Sequence, residues 1–343
     1  MEQKFLEATK YILEKNLNIL DEPYIKEKVV LVYDNNSLLS KLLWNAYSQN
    51  LESYKNIDSE IINFDEIDKE ILKDKLLSLK ENSTVVLVQS TNFRLEDFRI
   101  RVSLHKNEVW CLEHNHLVYI KEQELENYAD SIEYNTPYYN ELSKKLKEIS
   151  DNANSLKIVC KNGNTLNVEG WIEDMKQNTW DYTWKKRWAT FPVWENFAEN
   201  KDFLKVNWKL NIRAYPWLDL AVRFDESFNI TIKESLIVWY CENTPQEFIE
   251  ILEMIKKSED GEVYMRELWF WLNPWISFEK TLTDVSSFER MAWFHISLWK
   301  KHWIYRKKFH RKITQRYHID IFPNIDYIEF DWKKVFEDWK YFI

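Results

Sequence analysis

The sequence predicts an α/β plus α+β protein: an N-terminal parallel α/β domain over residues 1–150, then a mostly antiparallel β-rich domain over residues 151–343 that carries a metal site. Two patterns predict this arrangement. In the first part, short apolar runs alternate with stretches of helical periodicity, which favours a parallel sheet covered by helices. In the second part, brief alternating runs break at Asn, Asp and Trp, which is typical of antiparallel strands.

The elements of the first domain follow from apolar spacing. An amphipathic pattern predicts a helix over residues 2–16. KVVLVYD (28–34) predicts a buried strand, and Ser37 is the expected N-cap of the helix after it. STVVLVQS (83–90) predicts a second strand, with further strands near 108–112 and 117–120. No glycine-rich phosphate loop follows the first strand, so a nucleotide site is not expected.

Two helices are predicted beyond this region. A polar helix over residues 138–155 is expected to link the domains, and a helix over residues 244–260 interrupts the strands of the second domain. Thr244 is a candidate N-cap for the latter helix.

Composition restricts the possible partners and compartment. The chain is 45% hydrophobic and 30% charged, so it can bury a core and remain soluble, and its net charge of -9 argues against nucleic acid or an anionic membrane as a partner. No apolar run reaches the roughly 20 residues that span a bilayer, and the charged N-terminus does not resemble a signal peptide. Three widely spaced cysteines indicate reduced thiols, so we expect a cytoplasmic protein.

Tryptophan is abundant where glycine is expected. The chain has 18 Trp and 3 Gly, whereas average usage of about 7% predicts roughly 24 glycines. Several Trp occupy turn positions that favour glycine: Trp208 after Asn207, Trp332 after Asp331, Trp339 after Asp338, and Trp217 and Trp275 after proline. We therefore hypothesise that most Trp codons are UGA read as glycine in the native host; UGG codons would contradict this. The alternative is a genuinely Trp-rich module that stacks on sugars or bases.

A cluster of histidines and carboxylates predicts a metal site. His295, His302, His310 and His318 fall within 24 residues, near Glu267, Glu289 and Asp320. His318 and Asp320 are two residues apart, so on a strand both project from one face and can reach one ion. Imidazole with carboxylate suits Zn, Co or Mn. His310, in a basic run, is interpreted as a surface residue, and the pair His114 and His116 as structural.

With Trp interpreted as Gly, four segments resemble motifs of the M29 aminopeptidases, the thermophilic leucyl aminopeptidase-type metalloenzymes, and especially their M29-like branch. The resemblance covers roughly residues 155–343. It implies metal ligands in each segment: Glu195 in FPVWENF (191–197), Glu267 in ELWFWLNPWI (267–276), His295 in FHISLWKK (294–301), and His318 and Asp320 in YHIDIF (317–322).

The resemblance implies a homodimeric exopeptidase. Two divalent ions (Zn, Co or Mn) would activate a water that attacks the first peptide bond of a peptide substrate. Glu195 would shuttle the proton, and His302 occupies the position of a family tyrosine that stabilises the transition state. Glu289 is the candidate for a further family glutamate ligand, one residue out of register. The alternative is a non-catalytic metal- or peptide-binding protein on the same scaffold.

Overall fold

The computed structural model describes most of the chain, in two compact units. The described residues are 1–20, 28–81, 83–96, 98–133, 136–170, 173–178, 188–193, 195–199, 206–258, 261–291, 293–298 and 317–343. Unit 1 comprises Met1–Pro137, Thr179–Val193 and Phe278–Phe288, and unit 2 comprises Tyr138–Asn178, Trp194–Ser277 and Glu289–Ile343. The sequence suggests a boundary near residue 150. In the structure, unit 2 begins at Tyr138, inside the helix Thr136–Asn152, and two later segments of the chain belong to unit 1.

The helices and strands are numbered in chain order. The helices are α1 (Glu2–Tyr11), α2 (Leu38–Ser53), α3 (Lys69–Ser78), α4 (Ile100–Lys106), α5 (Leu125–Ile132), α6 (Thr136–Asn152), α7 (Gln246–Ser258) and α8 (Val285–Phe288). The strands are β1 (Lys28–Tyr33), β2 (Asp58–Asn63), β3 (Ser83–Val88), β4 (Trp110–His114), β5 (Ser155–Cys160), β6 (Thr165–Glu169), β7 (Lys176–Asn178), β8 (Trp188–Phe191), β9 (Glu195–Glu199), β10 (Val206–Pro216), β11 (Val222–Arg223), β12 (Phe228–Lys233), β13 (Leu236–Tyr240), β14 (Met265–Trp271), β15 (Phe294–Leu298), β16 (Ile319–Pro323), β17 (Ile325–Phe330), β18 (Lys333–Glu337) and β19 (Lys340–Tyr341).

Unit 1 is built on a parallel sheet of five strands in the order β2-β1-β3-β4-β8. Apolar side chains of β1, β3 and β4, such as Val30, Val85 and Cys111, form its core. Ser37 caps α2, as predicted, because its Oγ accepts the Ser40 N–H at 3.0 Å. The parallel α/β prediction is confirmed. The strand expected near 117–120 is wrong, because Leu117–Tyr119 forms one 3₁₀ turn.

Unit 2 is built on an antiparallel sheet of 14 strands. Its main order is β19-β18-β17-β5-β6-β10-β16-β15-β14-β9-β7; β11 and β12 pair with β10, and β13 pairs with β12. The mixed layout of a parallel sheet plus an antiparallel sheet therefore agrees with the predicted fold class. Among the described residues, no helix is long and apolar enough to cross a membrane.

Two of the unusual tryptophans lie in turns that favour glycine. In the hairpins β17–β18 and β18–β19, the central pairs have positive φ at both positions: Asp331 (+45°) with Trp332 (+70°), and Asp338 (+47°) with Trp339 (+64°). Positive φ at both central residues defines the type I′ turn, where a Cβ is unfavourable. The turn predicted at Trp208 is wrong, because that residue lies buried inside β10.

Candidate metal centre

Four neighbouring strands of unit 2, in the order β9-β14-β15-β16, carry Glu195, Glu267, His295 and Asp320 on one face, and His318 immediately precedes β16. Glu267 on β14 lies opposite Ser297 on β15, and Ser297 lies opposite Asp320 on β16. Two residues further along β14, Trp269 lies opposite His295. Because alternate residues of a strand share a face, this register aligns acidic, hydroxyl and imidazole side chains in rows.

Asp320 stands at the centre of the cluster. Its Oδ1 lies 3.1 Å from Nε2 of His318 and 3.5 Å from Nε2 of His295. Ser297 Oγ also donates to this oxygen, and the same hydroxyl lies 3.0 Å from His318 Nε2. Asp320, His295 and Ser297 are buried, whereas 36% of the His318 side chain is exposed. One carboxylate oxygen is therefore within reach of two imidazoles.

Glu267 is fully buried beside this group. Its Oε2 lies 3.8 Å from His318 Nε2 and accepts the Trp269 indole N–H at 3.2 Å. Its Oε1 is buried and has no hydrogen-bond partner in the described part of the chain. A buried acceptor without a partner is costly, so this atom is suited to receive a donor from a ligand.

The other two glutamates share one arginine. Arg290 Nη1 lies 3.3 Å from Glu195 Oε2, and its Nη2 lies 3.0 Å from Glu289 Oε1. The guanidinium also stacks on Trp271, with its central carbon 4.2 Å from the ring centroid. Arg290 pairs with both carboxyl groups, and burial raises the pKa of Glu289, which also hydrogen-bonds Asp320, well above its usual range. Glu195 and Glu289 are therefore less available to an ion than Asp320.

Burial and neighbouring charges shift the pKa values of the cluster in opposite directions. Burial lowers the pKa of His295 to about 4 and raises the pKa of Glu267 to about 8. Burial would also lower the pKa of His318, but Asp320 and Glu267 outweigh it and raise that pKa to about 9. Burial would raise the pKa of Asp320, yet the two imidazoles hold it well below its usual range. In the metal-free protein, Asp320 is therefore a carboxylate paired to a protonated His318.

Two indoles cover the same face. The Trp269 ring stacks on Phe197, at 4.5 Å between centroids, and on His295, at 5.8 Å. Trp271 stacks on His295 at 6.0 Å, and its Nε1 is buried without a partner among the described residues. Both Trp occupy space directly over the imidazole of His295.

The structure brings together six of the seven residues predicted for the site. They are Glu195, Glu267, Glu289, His295, His318 and Asp320, all in unit 2. The catalytic candidate His302 lies outside the described residues, as does His310.

The sequence interpretation missed two members of the cluster. Ser297 could have been found, since it lies two residues after His295 and shares its face if that segment is a strand, as it is in β15. Arg290 carried no motif, and only its contacts in the fold reveal its role.

The donors around Asp320 partly meet the requirements of a metal ion. As the side chains stand, no group of three or more His, Cys, Asp or Glu within the described ranges is arranged to hold an ion. The donors instead hydrogen-bond one another through Asp320 and Ser297. However, ligands about 2.1 Å from an ion and at right angles lie about 3 Å apart, close to the 3.1 and 3.5 Å observed around Asp320. Two imidazoles, one carboxylate and an orphaned buried oxygen are therefore donors of the kind that a metal takes, and the spacings around Asp320 are close to those that it needs.

The fold resembles a solved enzyme structure over nearly its whole length. No protein-family model matches the chain, and no curated protein sequence matches it either. The structure of a 2,5-dihydroxypyridine dioxygenase from Pseudomonas putida KT2440 matches 99% of this chain and 97% of its own, with a TM-score of 0.64 and 14% identity. At that identity the likeness concerns the fold.

This comparison corrects the predicted function. The sequence was interpreted as a metallo-aminopeptidase, a hydrolase acting on peptide bonds, whereas the matching structure is that of an oxygenase. Imidazole and carboxylate ligands serve both hydrolytic and oxidative metals, so the motifs alone did not separate the two classes. The peptidase assignment is therefore withdrawn.

Proposed function

We propose that this protein is a metal-dependent dioxygenase acting on a small hydroxylated aromatic ring, with His295, His318 and Asp320 as the ligands of one ion. The observation that carries the proposal is the position of Asp320 Oδ1, within 3.5 Å of both imidazole Nε2 atoms. Two histidines and one carboxylate on one face, with other positions left open, form the donor set of non-haem Fe(II) oxygenases. The fold likeness to a dioxygenase supports the same class.

A single ion is favoured over the two that the sequence suggested. Glu195 and Glu289 would have to exchange Arg290 for a second ion, and separating a buried arginine from both carboxylates is costly. We propose iron rather than Zn, Co or Mn, because two histidines and one carboxylate leave coordination positions of the ion open, which suits redox chemistry at Fe(II). An iron ion held there would supply the one-electron chemistry that allows dioxygen to react with an aromatic ring.

The remaining residues would bind and orient the ring. Glu267 Oε1, buried without a described partner, would form a hydrogen bond with a ring hydroxyl. The Phe197 and His295 rings already sandwich an indole, so the same face accepts a flat aromatic molecule. Arg290 would keep the Glu195 and Glu289 charges away from the ring by pairing with both.

Trp269 and Trp271 occupy the space that such a ring needs. If their codons are UGA read as glycine, the native chain has an open slot between Phe197 and His295. We therefore expect Trp269→Gly/Trp271→Gly to admit a ring that the Trp-containing chain excludes. The resemblance to the M29 family and its homodimers stays a prediction, and it concerns scaffold and ligand positions rather than the reaction.

The test compares oxygen consumption by the chain and by its Trp269→Gly/Trp271→Gly variant. Both are loaded with Fe(II) without oxygen, then mixed with aerated 2,5-dihydroxypyridine while dissolved oxygen and ring absorbance are followed. We expect the glycine variant to consume oxygen only when iron and ring are both present. Adding Asp320→Asn should abolish turnover, whereas adding Asp326→Asn, a carboxylate on β17 outside the cluster, should preserve it.

Other results would contradict the proposal in distinct ways. Iron uptake without oxygen consumption for any dihydroxylated ring would instead indicate a non-catalytic metal-binding protein. Equal iron affinity in the Asp320→Asn and Asp326→Asn variants would show that the ion is not held at this cluster.

A further inference from the structure

A cavity lies in unit 1, and its lining residues belong to that unit alone among the described residues. It has a volume of about 300 Å³ and opens at the carboxyl edge of the parallel sheet, beside the segments that follow β3 and β4. Its lining includes Gln89, Arg94, Arg99, Arg101 and Asn115. This volume is at the lower end of the range of small-molecule sites, and so suits a compact ligand.

The carboxyl edge of a parallel sheet is where ligands of α/β domains usually bind, at the point where the strand order reverses. Here the order reverses between β1 and β3, but Asp34 closes that point: its Oδ2 accepts the Ser90 N–H at 2.7 Å and its Oδ1 accepts the Ser90 hydroxyl. The open space therefore lies one strand further, between the ends of β3 and β4.

Gln89 ties together the two segments that form the cavity. Its side chain is almost fully buried, with Oε1 accepting the Phe93 N–H at 2.8 Å and Nε2 donating to Asn115 Oδ1. One amide thus joins the loop after β3 to the end of β4. The cavity wall is held in place by buried hydrogen bonds rather than by loose surface loops.

The cavity is cationic in a chain whose net charge is negative. Arg101 pairs with Glu113 at 3.2 Å, whereas Arg94 and Arg99 make no ion pair or hydrogen bond with any described residue. Glu96 and Glu113 also line the cavity, so its three arginines exceed its carboxylates by one among the described lining residues. Two guanidinium groups are therefore left to face a ligand, and their fork geometry matches carboxylate or phosphate oxygens.

We propose that this cavity binds a small anion that carries a phosphate or carboxylate group. Arg94 and Arg99 would hold the anionic group, and the half-buried rings of Phe93 and Phe98 would contact an organic body. Asn115 and His116 supply polar atoms at the same edge. The His116 Nδ1 is held by Ser286 Oγ at 2.8 Å, and its Nε2 makes no hydrogen bond within the described ranges.

Calorimetric titration of the metal-free chain tests the proposal. The probes are inorganic phosphate, succinate and the uncharged succinamide, each at 50 and 200 mM salt. The variant Arg94→Gln/Arg99→Gln is compared with Lys144→Gln/Lys145→Gln, two exposed cations of α6 in unit 2. Circular dichroism and thermal melting establish that both variants remain folded.

We expect phosphate or succinate to bind the chain and the lysine variant with equal affinity, and the arginine variant at least tenfold more weakly. Succinamide should not bind, and high salt should weaken binding of the anions. Tighter binding of phosphate would identify a phosphate ligand, and tighter binding of succinate a carboxylate. The proposal would be overturned if neither phosphate nor succinate bound at a 10-fold molar excess over about millimolar protein. It would also be overturned if the arginine and lysine variants lost the same amount of anion affinity.

Discussion

Two histidines, one in each unit, have opposite environments. His114 in unit 1 is fully buried between two tyrosines, with Nε2 2.9 Å from the Tyr47 hydroxyl and Nδ1 2.8 Å from that of Tyr128, and burial lowers its pKa to about 3. His318 in unit 2 lies against Asp320 and Glu267, and its pKa is raised to about 9. The comparison shows that neutral partners make an imidazole a structural hydrogen-bonding group, whereas carboxylates prepare it for an ion.

The largest expected difference is in metal affinity. His318→Gln should lower iron affinity by about 100-fold or more, because one of three ligands is lost, whereas His114→Gln should change it less than about threefold. Equilibrium dialysis against Fe(II) without oxygen measures both. A similar loss of iron affinity in the two variants would show that His318 is not distinguished from His114 as a ligand.

For the stability of the fold, His114 should matter more than His318. His114→Leu leaves two buried tyrosine hydroxyls without their partner, so we expect the free energy of unfolding to fall by about 2–5 kcal/mol in urea titrations. Adding Tyr47→Phe and Tyr128→Phe removes the unpaired hydroxyls and should recover part of this loss. No recovery would mean that the cost arises from packing of the ring.

The pH dependence of the metal-free protein should separate the histidines further. The folded pKa of His114 is about 3, so its unfolded form binds the proton first, and stability falls as pH drops below about 6.5, by about 2–3 kcal/mol at pH 4.5. His318 has a raised folded pKa, so its contribution is present below about 6.5 and is lost as pH rises through about 9.

Because 36% of the His318 side chain is exposed, we expect the alkaline loss to be about 1 kcal/mol. Urea titrations of the chain, His114→Leu and His318→Gln across pH 4.5–9.5 measure both slopes. His295 and Glu267 also titrate differently in the folded and unfolded forms in this range. Relative to the chain, His114→Leu should therefore lose part of the acid slope and His318→Gln part of the alkaline slope, and an unchanged acid slope in His114→Leu would contradict the assignment.

The smallest expected effect concerns the hairpin turns. Trp332→Gly should stabilise the protein by about 1 kcal/mol, since φ is +70° there and glycine has no Cβ to clash. Trp239→Gly is the control, because Trp239 lies in β13 with an exposed ring and extended backbone. There, glycine should destabilise by about 0.5–1 kcal/mol. The same sign at both positions would argue against the turn explanation.

Much of the candidate site followed from strand periodicity. His318 and Asp320 were expected to share a face because they are two residues apart, and they do. The same rule treated His114 and His116 as a pair, but β4 ends at His114 and His116 has a φ of +58°, so the second ring points elsewhere. Periodicity holds only as far as the strand continues.

Other features could not be predicted from local pattern. The Asn207-Trp208 dipeptide resembles a hairpin turn, but pairing of β10 with both β6 and β12 keeps it extended. Arg290 approaches Glu195 across 95 positions of sequence, which no local signal reveals. The reaction class was missed because hydrolytic and oxidative metal centres share donor types.

The row formed by Glu267, Ser297 and Asp320 has a consequence for how the protein folds. The cluster takes side chains from β9, β14, β15 and β16, which are separated by up to about 120 residues of chain, so their pairing requires closing long loops. The three proposed ligands themselves lie on the consecutive pair β15–β16 or, for His318, directly before β16, whereas Glu267 and Glu195 come from β14 and β9. Iron should therefore be able to bind once β15 and β16 pair, and the surroundings of Glu267 and Glu195 should form only when β14 and β9 join the sheet.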